Sequence, residues 1–247
     1  MVSWNKRLGF LVPSANSVVE RDTRIALPAG TSAHFARMKL TRDTPEGISG
    51  LVNHVPQAAG ELADAAVDVV GFACTTGSLD GGLGYDRKII DTIERETGIR
   101  ATTTSTSVVH GLRELRIQRP VIISPYEEWL NAKVVTFLEG SGFQVAAVMG
   151  FGLPAPRDVA GVTPAQILDA ARREDRADAD GVFISCTDFR GLEAAEMVEQ
   201  ALGKPVVTSN QATIWEMLSI VGIGDPVVGF GQLLARPRRT AEARTYR

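Results

Sequence analysis

The chain has 247 residues, 44% hydrophobic and 22% charged, with a net charge of −3. That suits a globular protein long enough for one large α/β domain or two small ones, and leaves no basic footprint for nucleic acid. No apolar run approaches the ~18 residues of a membrane span.

From the amino terminus, RLGFLVPS reads as a first strand rather than a signal peptide, since its apolar run is short and no small-residue cleavage site follows. SVVERDTRIAL is helical after an N-cap at Ser14, Asn16 or Ser17. AHFARMKL is a second strand. PEGISGLVNHVPQAAGELADA is mostly helical, with Pro56 marking a break or restart. VDVVGFAC is nearly continuous in apolar residues, as a parallel strand covered on both faces should be. DRKIIDTIERETG is a helix closed by Gly98, RATTTS a short strand and TSVVHGLRELR another helix. GGLG at 81–84 lacks the context of a phosphate loop and reads as a mobile loop or lid.

The second half runs the same way. RPVIISPY is a strand, EEWLNAKVVTFLEGSG a helix, FQVAAVMGFG a strand and PAPRDVAGVTP a loop. AQILDAARREDRADA is a helix, DGVFISC a strand, GLEAAEMVEQALG a helix, KPVVTS a strand and NQATIWEMLSIVG a closing helix. Alternating β and α implies parallel sheets with right-handed crossovers. The last twelve residues carry five arginines, which reads as a solvated tail.

The halves form a weak internal repeat. RLGFLVPSANSVVE matches RPVIISPYEEWLNA, VDVVGFACT matches ADGVFISCT, and IRATTTSTSVV matches KPVVTSNQATIW. The expected architecture is two α/β lobes related by a pseudo-two-fold axis. Residues 1–117 form the first, with 212–247 packing back on it, and residues 118–211 form the second.

Cys74 and Cys186, the only cysteines, stand 112 positions apart at the ends of matching strands. Ligands of open α/β sheets bind at such ends, so both thiols should face one cleft. Two cysteines make no disulfide framework, which fits reduced thiols in the cytoplasm. Each Cys is either an inert small hydrophobe or a nucleophile whose pKa is lowered at a strand-to-helix turn. Placement at matched positions favours the second. Asn16, Ser209 and Asn210 end strands, where a helix-capping role and a substrate contact are both open. Tyr126 is either packing or a phenol donor. His34, His54 and His110 have no ligand spacing, so no metal is expected.

The segments LVPSANSVVE, ACTTGS, SPYEEWLN, SCTDFRGL and TSNQATIW stand in order over residues 8–225. Together they resemble the maleate cis–trans isomerase and arylmalonate decarboxylase branch of the aspartate/glutamate racemase superfamily. The resemblance implies two Rossmann-like lobes, a cleft between them, no cofactor and a homo-oligomer. It implies that Cys74 is the nucleophile, that Cys186 handles a proton and that Asn16 and Tyr126 contact substrate. The decarboxylase keeps only the second-half cysteine, so two cysteines argue for the isomerase. Where the isomerases carry an Asn, this chain has PAPRDVAG. Arg157 there either grips a carboxylate or faces solvent.

The leading expectation is therefore a maleate isomerase-like enzyme acting on a small dicarboxylate. Thr75, Thr76, Thr187, Ser209 and Asn210 would complete the carboxylate contacts. The rivals are a two-cysteine racemase of an amino acid or hydantoin-like compound, a decarboxylase of a malonate-type acid, and a non-catalytic small-acid binding protein.

Overall fold

The computed structural model describes residues 6–238. Each half builds one four-stranded parallel sheet. In the first half the chain runs β1 (Lys6–Pro13), α1 (Val19–Ala26), β2 (Thr31–Met38), α2 (Pro45–Gly50), one 3₁₀ turn (Leu51–His54), α3 (Val55–Asp64), β3 (Val69–Phe72), α4 (Thr75–Leu79), α5 (Tyr85–Thr97), β4 (Ala101–Thr103) and α6 (Thr104–Glu114). The second half continues with β5 (Pro120–Ser124), α7 (Glu128–Gly140), β6 (Ala147–Gly150), α8 (Pro156–Gly161), α9 (Pro164–Glu174), β7 (Gly181–Ile184), α10 (Gly191–Leu202), β8 (Val206–Thr208), α11 (Ser209–Ile220) and α12 (Gln232–Ala235). The sheet orders, β2-β1-β3-β4 and β6-β5-β7-β8, are the same order repeated.

The repeat is written in polar side chains as well as in topology. Asp68 accepts from the Arg7 N–H at 2.7 Å, and its counterpart Asp180 accepts from Gln118 and Arg119 at 2.9 and 2.8 Å. Glu94 accepts from the Ala101 N–H and Glu199 from the Val206 N–H, each at 3.0 Å. Thr103 and Thr208 end the last strand of each sheet and cap the helix that follows. In each case a carboxylate or hydroxyl satisfies a backbone donor that the element ends leave without a partner.

Helices α6 and α11 pack on each other, and they exchange partners between the halves. α11 also packs on β3 and β4, and α6 on β8. Every residue of α11 is buried, including the polar Asn210, Gln211 and Glu216. Close approach to β3 depends on Gly71, where a Cβ would lie 2.5 Å from the Met217 sulfur.

Two sequence expectations, at Pro156–Gly161 and at Arg238, differ from the structure. Pro156–Gly161, read as loop, forms α8 with Pro156 at its start, a position where proline's missing N–H costs nothing. GGLG, expected as a loop, is a turn feeding α5, with Gly84 left-handed at φ 79° and Gly81 packed under the Tyr85 ring. α12, after the glycine-rich stretch 222–231, is not among the expected elements. Arg238 is buried, not solvated, and donates to the carbonyls of Ile223, Leu234 and Asp225. Arg236, in the same tail, is exposed and donates to the Glu114 carbonyl at 3.2 Å, and residues 239–247 lie outside the described residues. Pro56 does open α3 within its first turn, and Gly98 closes α5 at φ 70°. No described helix is long and apolar enough to cross a membrane.

Candidate active site

The carboxyl ends of β1, β3, β5 and β7 converge on one cavity of about 40 Å³. That is room for roughly three water-sized groups, the scale of a compact acid. Cys74 and Cys186 both line it, with Asn16, Thr75, Thr76, Tyr126 and Thr187.

Cys74 is extended (φ −146°) and caps α4, its sulfur accepting the Gly77 N–H at 3.4 Å. The Thr76 hydroxyl lies 3.7 Å from the same sulfur. The sequence reading expected these donors to lower the thiol pKa, and the structure reverses the sign. Burial and the field of Asp43 outweigh the Gly77 and Thr76 hydrogen bonds and push Cys74 up to about 12. Cys186 has the unusual φ of 106° for a non-glycine residue. Its sulfur accepts the Asp188 N–H at 3.3 Å, and its own N–H donates to the Ser209 hydroxyl at 3.0 Å. Burial first, then Asp43 and Asp188, raises its pKa well above the ordinary thiol value.

The wall around the sulfurs is braced across the halves. Asn16 donates to the Thr187 hydroxyl at 3.1 Å, and that hydroxyl donates to the Ala73 carbonyl at 3.2 Å. The Asn16 side-chain oxygen accepts the Val18 and Val19 N–H groups at 3.1 Å each, so Asn16 steadies the start of α1 and lines the cavity, while the N-cap itself is Val18 and not the expected Ser14, Asn16 or Ser17. The Tyr126 hydroxyl is buried against Ser185 and Cys186 without a well-formed hydrogen bond, and the residue lines the cavity. Burial raises its pKa well above the usual value and keeps it protonated.

Three expected contacts are not brought to the cavity. The Ser209 hydroxyl accepts from Thr75 at 2.9 Å and from Cys186, so it ties the two cysteine turns together from behind. Asn210 donates to Asp22 at 2.7 Å and to the Thr187 carbonyl at 2.9 Å. Both residues open the buried helix α11, which spends their polar groups inside the protein. Arg157 is exposed on α8, because helical spacing turns Pro156 and Val159 inward and leaves Arg157 outward.

Two acids that sequence reasoning missed line the cavity, Asp43 and Asp188. Asp188 accepts from the Ser17 and Val18 N–H groups at 2.7 and 3.2 Å, and burial pushes it up to about 6. Its place in SCTDFRG, two residues after Cys186, was the available signal. Asp43 lies in LTRDTPEG, which reads as an ordinary polar turn. Among the described residues no group of three or more His, Cys, Asp or Glu side chains is arranged to hold a metal.

The cavity and its two thiols are set in a fold with known relatives. The arylmalonate decarboxylase family model matches residues 8–234. The chain is 30% identical to a maleate isomerase of Nocardia farcinica over 239 residues, covering 93% of this chain and 95% of that protein. It is 28% identical to the arylmalonate decarboxylase of Bordetella bronchiseptica over 229 residues, covering 92% and 95%. Its fold superposes with a TM-score of 0.88 on a cysteine-to-serine mutant of the N. farcinica maleate cis–trans isomerase that carries a covalently bound succinylcysteine intermediate, at 27% identity over 93% of this chain and 98% of that one. With motifs, topology and length all in agreement, the chain belongs to the arylmalonate decarboxylase family.

Proposed function

We propose that this protein is a cofactor-independent cis–trans isomerase of the maleate isomerase type, with Cys74 as nucleophile. The observation that carries the reading is that one sulfur from each half lines a single cavity sized for a compact acid. The relatives support it, because the family includes maleate isomerases and a related enzyme holds a succinylcysteine.

The Cys74 thiolate adds to one carbon of the double bond, and the Cys186 thiol delivers its proton to the other. The covalent adduct rotates about what is now a single bond. Cys186 takes the proton back, the C–S bond breaks, and the trans acid leaves with the Cys74 thiolate restored. Splitting one rotation about a double bond into addition, rotation and elimination is covalent catalysis. Asn16, Tyr126, Thr75, Thr76 and Thr187 orient the substrate from the cavity wall. Ser209 and Asn210 act as positioning residues behind it. Because Cys74 is pushed up to about 12 by burial and Asp43, forming its thiolate is part of the reaction's cost at this buried position.

Residues 6–117, with 212–238 packing back on them, make one working lobe and 118–211 the other, a division that the packing of α11 on β3 and β4 supports. The protein acts in the cytoplasm, which its two reduced cysteines suit, and as a homo-oligomer, which the family resemblance implies.

The test is a panel of small unsaturated dicarboxylates, amino acids, hydantoins and malonates, followed by proton NMR in deuterated buffer. Conversion of maleate to its trans isomer is the expected result. Deuterium entering a chiral carbon without isomerisation would select the racemase, and loss of a carboxyl group the decarboxylase.

A further inference from the structure

The cavity has a charge problem for its proposed substrate. Among the described residues that line it there is no Lys, Arg or His, and there are two acids, Asp43 and Asp188. Asp188 is occupied by backbone donors on one oxygen. The Asp43 side chain has no hydrogen-bond or ion-pair partner among the described residues.

Asp43 is nevertheless held in place. The Ser14 hydroxyl donates to the Leu40 carbonyl and accepts the Leu40 N–H, each at 3.1 Å, anchoring the loop on one side. Thr44 caps α2 on the other, accepting the Gly47 N–H at 3.1 Å. The short span between these anchors presents Asp43 to the cavity. The groups that feel its charge come from three other segments: Cys74 at α4, Tyr126 after β5, and Cys186 and Asp188 after β7. None of them is a cation. From α8 only the uncharged Pro156 and Val159 line the cavity, while Arg42 and Arg157 are exposed.

We propose that Asp43 is a specificity-determining residue that makes the site take its unsaturated acid as a monoanion, the group facing Asp43 being a hydrogen-bond donor. This rests on the isomerase reading and names the substrate class within it. Two carboxylates sharing a site cannot both stay ionised, so a dicarboxylate enters only with a proton held between its own carboxyl and Asp43. A monoamide of the same acid needs no such proton, because its NH₂ donates to the Asp43 carboxylate directly. Burial raises the Asp43 pKa, in keeping with a carboxyl that holds that proton.

The experiment compares maleate with its monoamide, maleamate, at several values between pH 6 and 9, using the wild type, Asp43→Asn and Asp43→Ser. For the wild type, the KM for maleate rises by about tenfold per pH unit through the upper range, while that for maleamate stays flat. In both variants the maleate KM becomes nearly pH-independent, falls at least about tenfold at pH 8.5, and the preference for maleamate is lost. A wild-type maleate KM that ignores pH, or a preference unchanged in both variants, overturns the proposal.

If neither compound is isomerised, the isomerase reading fails separately. Binding of the saturated analogues succinate and succinamate, measured by calorimetry, then decides the role of Asp43. A succinamate preference that disappears in Asp43→Asn supports it, and equal binding of the two by the wild type overturns it.

Discussion

The two cysteine turns occupy matching places in a duplicated fold and are built differently. After β3 the backbone at Cys74 is extended, the sulfur acts as an N-cap, and α4 starts at once. After β7 the backbone at Cys186 takes a φ of 106°, and no helix begins until Gly191. A non-glycine residue in that region costs on the order of 1–3 kcal/mol and persists only where its surroundings hold it. Here the Ser209 hydroxyl holds the N–H and the Asp188 N–H holds the sulfur. The position that carries Thr76 in the first turn carries Asp188 in the second. Duplication has kept the topology and let the two turns diverge, into a thiol anchored as a helix cap and a strained thiol beside an acid.

If that division is right, removing each sulfur should fail in its own way. Cys74→Ala is expected to lower kcat by on the order of 10⁴-fold or more, with no covalent species formed, as befits a lost nucleophile. Cys186→Ser should lower it by about 10²–10³-fold, the range for a lost proton-transfer group, and should let adduct accumulate on Cys74. Steady-state rates and intact-protein mass spectra distinguish these outcomes. Equal losses in both variants would erase the distinction between the turns.

The second turn should also titrate where the first does not. Burial raises Asp188 from its ordinary value to about 6 in the folded protein. Its stabilising contribution is therefore fully present below pH 3.8 and is lost as pH rises through about 6. The whole effect is up to about 3 kcal/mol. Glu193, held down to about 2 by Arg21 and Arg190, has the opposite sign and loses its contribution only in stronger acid. Thermal melts from pH 4 to 7.5 should therefore show a downward trend in Tm that is weaker in Asp188→Asn than in the wild type. Parallel curves would mean that Asp188 is not buried as described.

The smallest expected effect concerns strain. Cys186→Gly relieves the left-handed backbone while Cys186→Ala retains it, so the glycine variant should be more stable by about 1 kcal/mol. The same pair at Cys74 should rank the other way, because the backbone there is extended and glycine only adds freedom to the unfolded chain.

Much of this was legible in the sequence. Strand-length apolar runs, the glycine at 98 and the paired Cys-Thr motifs laid out both sheets and placed the thiols at strand ends. Local pattern also located Asn16 and Tyr126, since both follow a first strand of their half. It failed where side chains act from a distance. Ser209 and Asn210 look like substrate ligands in sequence, but the apolar helix that they open draws them inside. Arg157 reads as either an anion grip or a solvent-facing residue, and the phase of a short helix turns it outward. Asp43 carried no signal, because an acid in a polar turn gains meaning only when the loop is seen folded over the cavity. The thiol pKa was misjudged for a related reason. Sequence shows the N–H donors of a helix turn, but not the burial and the neighbouring acid that outweigh them.

The most direct test of the central claim is peptide mapping by mass spectrometry of the Cys186→Ser variant quenched during turnover of maleate. The account predicts a substrate-mass addition on the peptide containing Cys74. No adduct on Cys74, together with wild-type activity in Cys74→Ala, would contradict it.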